Sequence, residues 1–529
     1  MSMSIADAPL NLIGALRRPA AYPHPVAGVE LVETHISWVL LAGDYAYKIK
    51  KPVRLSFLDF STLQRRHEAC KEELRLNRRL APALYVDVVP IGGSADDPRI
   101  DGAGPAIEYA VRMHRFPQSE QLDQLLAADA LSAEALEAFG QHLARFHAQA
   151  PAAAADDDFG TPHRVYAPLR ETVDDLLASR LSGSARRSMM ALDAWSRSQT
   201  EALTPLFLRR KREGHVREGH GDLHLANLLR LKGTVTAFDC IEFDPALRWI
   251  DTMSDVAFLT MDLLYRGRGD LAYRFLNAYL EAGGDYDGVA VLRYYLVYRA
   301  LVRAKVAMIR AAATEGEASA RHETEAAAHI ALAAVRSDRP TPILLLTHGL
   351  SGSGKTWVSS ALLERLPAIR IRSDVERKRL HGLAQDASSG SAVAGGLYTA
   401  EASAQTYTHL AAAAETILRG GETAIVDAAF LRAAQRAPFL ALAARLHVAC
   451  LILDCRAPVA ELERRLDRRA AAGGDASEAD RPVLAHQLEH AQPLSESERE
   501  RTIVVDSERP LDAERLSAAV QARAAAQLR

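Results

Sequence analysis

Eight consecutive residues, Gly349-Leu350-Ser351-Gly352-Ser353-Gly354-Lys355-Thr356, limit what this chain can fold into more than any other feature. The spacing Gly-x-x-x-x-Gly-Lys-Thr needs a buried strand in front of it and a helix behind it. Ile343–Thr347 is an apolar, strand-like run, and a helical segment opens at Lys355. Glycines let backbone N–H groups converge on phosphate oxygens, and the helix adds its positive end. Lys355 is expected to reach the β- and γ-phosphates of a nucleotide, with the Thr356 hydroxyl on Mg²⁺.

Further apolar runs at Thr423–Val426, Val448–Leu453 and Thr502–Val505, with a weaker one at Ile369–Arg372, alternate with helical segments. That alternation predicts a parallel sheet with helices on both faces. Asp427 ends one of these strands, where its carboxylate can face a metal. Ser373-Asp374 follows another, and Arg377 lies one turn on. Asp374 is a candidate base for an attacking hydroxyl; the other reading is a helix cap at Ser373 or Asp374. Arg465 and Arg469 share a helix face and precede the Gly/Asp/Ser-rich stretch Gly473–Asp480. They read as lid arginines that close over a nucleotide, or as a solvated charged face.

The chain divides near Arg336–Pro342, where Pro340 and Pro342 stop a helix and favour extended backbone. Upstream, strands come first and helices later. His35–Leu41 and Tyr45–Lys50 predict a hairpin about Gly43-Asp44. Leu63–Leu80 is a charged amphipathic helix, Leu84–Ile91 and Ala106–Arg112 are further strands, and Val289–Ile309 and Ala311–Ala334 have helical character. Within this half, His220-Gly221-Asp222-Leu223-His224-Leu225-Ala226-Asn227 reads His-x-Asp-x-x-x-x-Asn. The Asp of such a loop orients and deprotonates an acceptor hydroxyl, and the Asn binds Mg²⁺. A predicted hairpin, Leu228–Leu231 and Thr234–Phe238, then delivers Asp239 as a second metal carboxylate. Glu242 and Asp244 follow, either as further anionic groups for a metal or cationic acceptor or as caps of a helix at Pro245.

Composition narrows the class. A chain of 529 residues implies two to four domains. Its 64 basic and 67 acidic residues leave a net charge of −3, which gives no support for a nucleic-acid binder. Four cysteines form no Cys-x-x-Cys pair and read as buried, reduced thiols of a cytoplasmic protein. The longest apolar runs fall far short of the roughly 20 residues that span a bilayer, and Leu10–Leu16 lacks a signal-peptide layout. Only nine basic residues are lysine, and four of them are Lys48, Lys50, Lys51 and Lys355. Those are places where a compact point charge can matter. Nothing in the sequence signals an oligomeric state.

Two resemblances follow from these motifs. GLSGSGKT (349–356), IRSDVERKRL (371–380), AIVDAAF (424–430) and RLDRR (465–469) resemble small P-loop kinases, the family of gluconate kinase, the polynucleotide 5′-kinase domain and zeta-toxin-like proteins. That likeness spans about Thr341–Arg529. HGDLHLAN (220–227) and AFDCIEFD (237–244) resemble the aminoglycoside phosphotransferase-like branch of the kinase fold, over roughly residues 30–310. This second resemblance implies a small antiparallel lobe with one helix, to about residue 115, and a mostly helical large lobe. It also implies a phosphate-neutralising lysine, Lys48 or its same-face neighbour Lys50, ion-paired to Glu73 or Glu72. The other reading of the lysine cluster is an exposed edge strand guarded by charge. One feature departs from the protein-kinase pattern: Pro25–Val39 holds a single glycine, Gly28, and no Gly-rich loop.

Together the halves resemble bacterial two-domain proteins that fuse the two kinase types. The expected fold is multidomain: an α+β protein-kinase-like domain over 1–338, then an α/β P-loop domain with a parallel sheet over 339–529. The expected activity is an ATP- and Mg²⁺-dependent, bifunctional transfer of the γ-phosphate to hydroxyl groups of small molecules. In the first site Asp222 is the base, Lys48 neutralises phosphate, and Asn227 and Asp239 hold Mg²⁺. In the second, Gly349–Thr356 cradles ATP, Asp374 is the base, Thr356 and Asp427 hold Mg²⁺, and Arg465 and Arg469 clamp the phosphoryl group. The alternatives are a regulatory protein with one non-catalytic nucleotide site, and a nucleic-acid-end or toxin-like kinase.

Overall fold

Antiparallel strands dominate the first 115 residues, as their patterns require. The computed structural model describes residues 8–55, 58–338, 340–385, 387–391, 395–472 and 477–528. Strands β1 (Val29–Glu33), β2 (Ser37–Ala42), β3 (Tyr45–Lys50), β4 (Tyr85–Gly93), β5 (Pro98–Ile100) and β6 (Glu108–His114) form one sheet in the order β1-β2-β3-β6-β4-β5. Helix α1 (Leu63–Asn77) packs on β4 and β6. Thr62 caps it by accepting from the Arg65 N–H at 3.3 Å.

Alternation along β3 decides where its lysines go. Tyr47 and Ile49 join one apolar cluster with Leu40, Val89 and Ile91. Ala46 turns the other way, into a cluster with Cys70 of α1 and Val111. Lys48 and Lys50 share the Ala46 side by the period of two, and so face α1. The strand pairs antiparallel with β2 on one edge and β6 on the other. It is therefore interior and buried, which corrects the reading of its lysines as guards of an exposed edge.

The predicted hairpin after the His-x-Asp motif is present as β7 (Leu228–Leu231) and β8 (Thr234–Ala237), with Leu228 opposite Ala237. Helix α2 (Thr252–Tyr265) follows, then α3 (Gly269–Gly283), α4 (Val289–Ala312) and α5 (Gly316–Ser337). The break between α4 and α5 divides the helical stretch expected from Ala311. Its cause is local: the Thr314 hydroxyl donates to Arg310 O (2.9 Å) and the Ser319 hydroxyl to Ala311 O (2.9 Å), satisfying carbonyls that a continuous helix would use.

The second sheet has five strands, β9 (Ile343–His348), β10 (Ala368–Arg372), β11 (Thr423–Asp427), β12 (Ala449–Arg456) and β13 (Thr502–Asp506), in the order β10-β11-β9-β12-β13. Every neighbouring pair is parallel. Helices α6 (Lys355–Leu363), α7 (Ser373–Leu380), α8 (Ala400–Gly420), α9 (Ala433–Leu446), α10 (Val459–Ala472), α11 (Arg481–His490) and α12 (Ala513–Gln527) belong to this part. Leu344, Leu345 and Leu346 are fully buried in β9, each contributing about 1.5–3 kcal/mol through burial. Strand order reverses at β9, and a ligand crevice forms beyond the carboxyl ends of strands at such a point.

Contacts divide the chain into two compact units. One comprises Met1–Ala135, Gln149–Val165 and Phe207–Asp255; the other comprises Leu136–Ala148, Tyr166–Leu206 and Val256–Arg529. Helices α3, α4 and α5 thus fold in one unit with the parallel sheet. All four cysteines are buried and free. Among the described residues no helix is long and apolar enough to cross a membrane.

Candidate active sites

The first site gathers on β3, α1 and the two loops around the β7–β8 hairpin. Asp255, in the first turn of α2 and fully buried, accepts from the backbone N–H groups of His220 (2.7 Å) and Gly221 (2.8 Å). Gly221 has φ +86°, and a Cβ there would sit 2.7 Å from Leu247 O. Glycine is what this turn admits. His220 places its Nε2 3.0 Å from Phe238 O, and the Asp222 N–H donates to its Nδ1 at 3.3 Å. That pattern is the neutral ring with its proton on Nε2. Burial pushes the His220 pKa down, against the attraction of Asp255 and Asp222. Asp222 is thus fixed by its own backbone, and its Oδ2 accepts from Asn227 Nδ2 at 2.9 Å.

Lys48 reaches across to both acidic groups. Its Nζ donates to Glu73 Oε1 at 2.8 Å and to Asp239 Oδ1. Burial disfavours its cation, but Asp239, Glu73 and Glu242 outweigh burial and hold its pKa well above the ordinary value. Glu73, fully buried, is opposed by desolvation and held low by Lys48 and Lys50. Glu72 points elsewhere, onto Arg75 and Arg248. Lys50 is not a spare copy of Lys48: its Nζ lies 2.5 Å from Glu73 Oε2 and pairs with Glu242. Glu242 is thus engaged by Lys50 and does not cap the turn at Pro245, which Asp244 caps through Ala246 N. Lys50→Met is expected to cost about 3–5 kcal/mol of stability, because Glu242 would lose its direct ion-pair partner and stay buried with only the more distant Lys48 to offset its charge. Urea denaturation measures this; a midpoint equal to that of the parent protein would show that the pair is not held dry.

The second site lies at the carboxyl end of the parallel sheet. Gly349 has φ +138°, and a Cβ on it would meet Cys455 O at 2.4 Å and Ser353 Oγ at 2.7 Å. Lys355 Nζ arches back over the loop and donates to Gly349 O (3.0 Å) and Leu350 O (2.9 Å). Enclosure pulls the Lys355 pKa down, opposed by the Asp427 carboxylate. Asp427 ends β11 and accepts from Ser359 Oγ at 3.1 Å. A cavity of about 840 Å³ opens here, lined by Lys355, Thr356, Asp374, Asp427, Arg465 and Arg469 among others. Helix α7 begins at Ser373, with Arg372 in the capping position and no side-chain cap bond, so neither Ser373 nor Asp374 is the cap.

Arg465 and Arg469 share the cavity face of α10. Arg465 is docked on the loop, donating to Gly352 O (3.1 Å), Ser507 Oγ (2.8 Å) and Ser507 O (2.8 Å). It is a wall of the loop in this conformation, not a solvated charge. Helix α10 follows β12 directly, which sets its first turns against the glycines. Of the Gly/Asp/Ser-rich stretch, residues 473–476 lie outside the described residues. Gln487 of α11 was not foreseen: its Oε1 accepts from Ser351 N at 2.8 Å.

The donor chemistry suits Mg²⁺. Asn227 and Asp239 in the first site, and Thr356 and Asp427 in the second, carry hard oxygen donors of the kind Mg²⁺ takes. No group of three or more His, Cys, Asp or Glu able to hold a metal alone occurs among the described residues. Mg²⁺ needs none, since it binds through one or two carboxylates plus substrate phosphates.

Comparison with known proteins places a separate family model over each of the two sites. A family model described as "Phosphotransferase enzyme family" matches residues 45–295, and one described as "AAA domain" matches 344–494. Relatives from Mycobacterium tuberculosis and Mycobacterium bovis, each titled an uncharacterized protein, are 31% identical over 464 residues, covering 86% of this chain and 89% of theirs. The chain belongs to their family. This chain joins a phosphotransferase-type domain to a P-loop kinase-type domain, and both halves are kinase-like. Among solved structures, a gluconokinase from Sinorhizobium meliloti 1021 is 19% identical, covering 36% of this chain and 93% of its own, with a TM-score of 0.25. A choline kinase from Cryptosporidium parvum Iowa II is 11% identical, covering 57% and 88%, with a TM-score of 0.35.

Proposed function

We propose that this family member is a bifunctional ATP-dependent kinase that phosphorylates hydroxyl groups of small molecules at two separate sites. The family segments are read as 1–338, with its small lobe ending near residue 115, and 339–529. In the first site, Asp222 takes the proton of the acceptor hydroxyl while its oxygen attacks the γ-phosphorus and the bond to ADP breaks. Lys48, oriented by Glu73, neutralises the nucleotide phosphates; Asn227 and Asp239 would hold Mg²⁺, which supplies charge neutralisation at the phosphates. In the second site the backbone of Gly349–Thr356 cradles the phosphates, Lys355 reaches the β- and γ-oxygens, and Asp374 takes the acceptor proton. Thr356 and Asp427 would hold Mg²⁺ there, and Arg465 and Arg469 stabilise charge on the moving phosphoryl group. Such sites work by positioning and fixed charge.

The observation that carries this reading is Lys48 bridging Glu73 and Asp239, three residues from three distant segments brought to one point. The test is a phosphorylation screen of a metabolite mixture with the full chain and with the Asp222→Asn and Lys355→Ala proteins. Two products are expected, each lost with one substitution. Turnover undiminished in the double variant refutes the proposal.

A second reading keeps the P-loop site catalytic and makes the first a nucleotide sensor. It is favoured by the turn between β1 and β2: Thr34-His35-Ile36 contains no glycine and is closed by Thr34 N–Ser37 O at 2.9 Å. ATP bound by the first site and never converted to ADP would establish this reading in place of the bifunctional one.

A further inference from the structure

The P-loop site is tied to a helix that lies outside the segment matched by the AAA-domain model. Strand β10 is an edge of the parallel sheet. Its open edge is met by Asn277 of α3, within the same compact unit. The Asn277 Nδ2 donates to Ala368 O (2.9 Å), and the Arg370 N–H donates to Asn277 Oδ1 (2.7 Å). One side-chain amide thus supplies a rung that a further strand would otherwise supply. Asn277 is buried.

One helical turn beyond, Glu281 meets the side chains of the same strand. Its carboxylate lies 3.3 Å from Arg370 Nη2 and 3.1 Å from Arg372 Nη1. Arg370 continues inward, donating to Ser360 Oγ (2.6 Å) and Ser359 Oγ (3.3 Å) on α6, the helix that leaves the phosphate loop. Ser359, fully buried, donates to Asp427 Oδ2 at 3.1 Å. Arg372 lines the cavity immediately before Ser373-Asp374, and is the register partner of Asp427. Arg379 of α7 adds a hydrogen bond to Glu281 O. Glu281 therefore stands behind the site along two lines: Arg370 leads through Ser359 to Asp427, and Arg372 lines the cavity beside Asp427, two residues before Asp374.

We propose that Glu281, a residue of the segment matched by the phosphotransferase model, is a positioning residue for the P-loop site. It rests on the reading of Asp427 and Asp374 given above. Glu281 neutralises two guanidiniums beside the carboxylates and keeps them off Asp427 and Asp374, so that Asp427 stays available to Mg²⁺. Groups bonded directly to a metal ligand typically shift metal affinity about 10–100-fold when changed; Glu281 acts further out, through Arg370 and Ser359, so the low end of that range is expected.

The test uses the full chain carrying Asp222→Asn, so that residual ATP turnover reports the P-loop site. Lys355→Ala in that background calibrates the assay. Turnover that survives it refutes the reading of the site, and the role of Glu281 with it. With turnover abolished by Lys355→Ala, Glu281→Gln is expected to raise the Mg²⁺ concentration for half-maximal rate about 10-fold, with the KM for ATP at saturating Mg²⁺ within twofold. Glu281→Asp should recover part of the shift. A purely structural glutamate would lower the melting temperature and the active fraction, and leave the Mg²⁺ midpoint in place. That result, or a midpoint equal to the parent's, overturns the positioning role and leaves the site intact.

Discussion

Lys355→Ala should lower the kcat of the P-loop site by about 10²–10³, the usual loss when one fixed donor to a developing charge is removed. The same change should not unfold the protein. Among the described residues Lys355 donates only to two carbonyls of its own loop, Gly349 O and Leu350 O. Enclosure depresses its pKa, so the fold holds this cation at a cost. Removing it should leave the melting temperature unchanged or slightly raised. Function and stability therefore separate at this residue. Steady-state turnover and a thermal melt on the same sample measure both.

Asp222→Asn carries the second large effect. A positioned general base contributes typically 10²–10⁴-fold, and the first site should lose about that much in kcat. Nucleotide affinity should stay, because Lys48, Glu73 and Asp239 are untouched. The loop should keep its shape as well: the asparagine oxygen can still accept from Asn227 Nδ2, and Asp255 still holds the His220 and Gly221 N–H groups. A KM for ATP that rises with little change in kcat would place Asp222 in binding and not in proton transfer.

The sequence reveals some parts of these sites far better than others. Both loops are legible because their chemistry is local. Glycines, a lysine and hydroxyls must stand at fixed spacing for backbone N–H groups to meet phosphate, and His, Asp and Asn must be close in sequence for the loop to support itself. Strand β3 is also legible, yet which of its lysines acts is not. Lys48 and Lys50 share a face, and only the third dimension shows that both meet Glu73 while Glu242 claims Lys50. Residues that act across long separations leave no local trace. Asp255 lies 35 positions from the His220 backbone it holds, and Glu281 lies 91 from Arg372. Arg465 shows the converse: its spacing from Arg469 is legible as one helix face, but its docking on Gly352 and Ser507 depends on residues 113 and 42 positions away.

The central claim is that one polypeptide holds two separate nucleotide sites. Calorimetric titration of the full chain with a non-hydrolysable ATP analogue and Mg²⁺ tests it most directly. Two equivalents per chain are predicted, falling to one on Lys48→Met and to one on Lys355→Ala. A stoichiometry of one in the unaltered protein, abolished by either substitution alone, would contradict it.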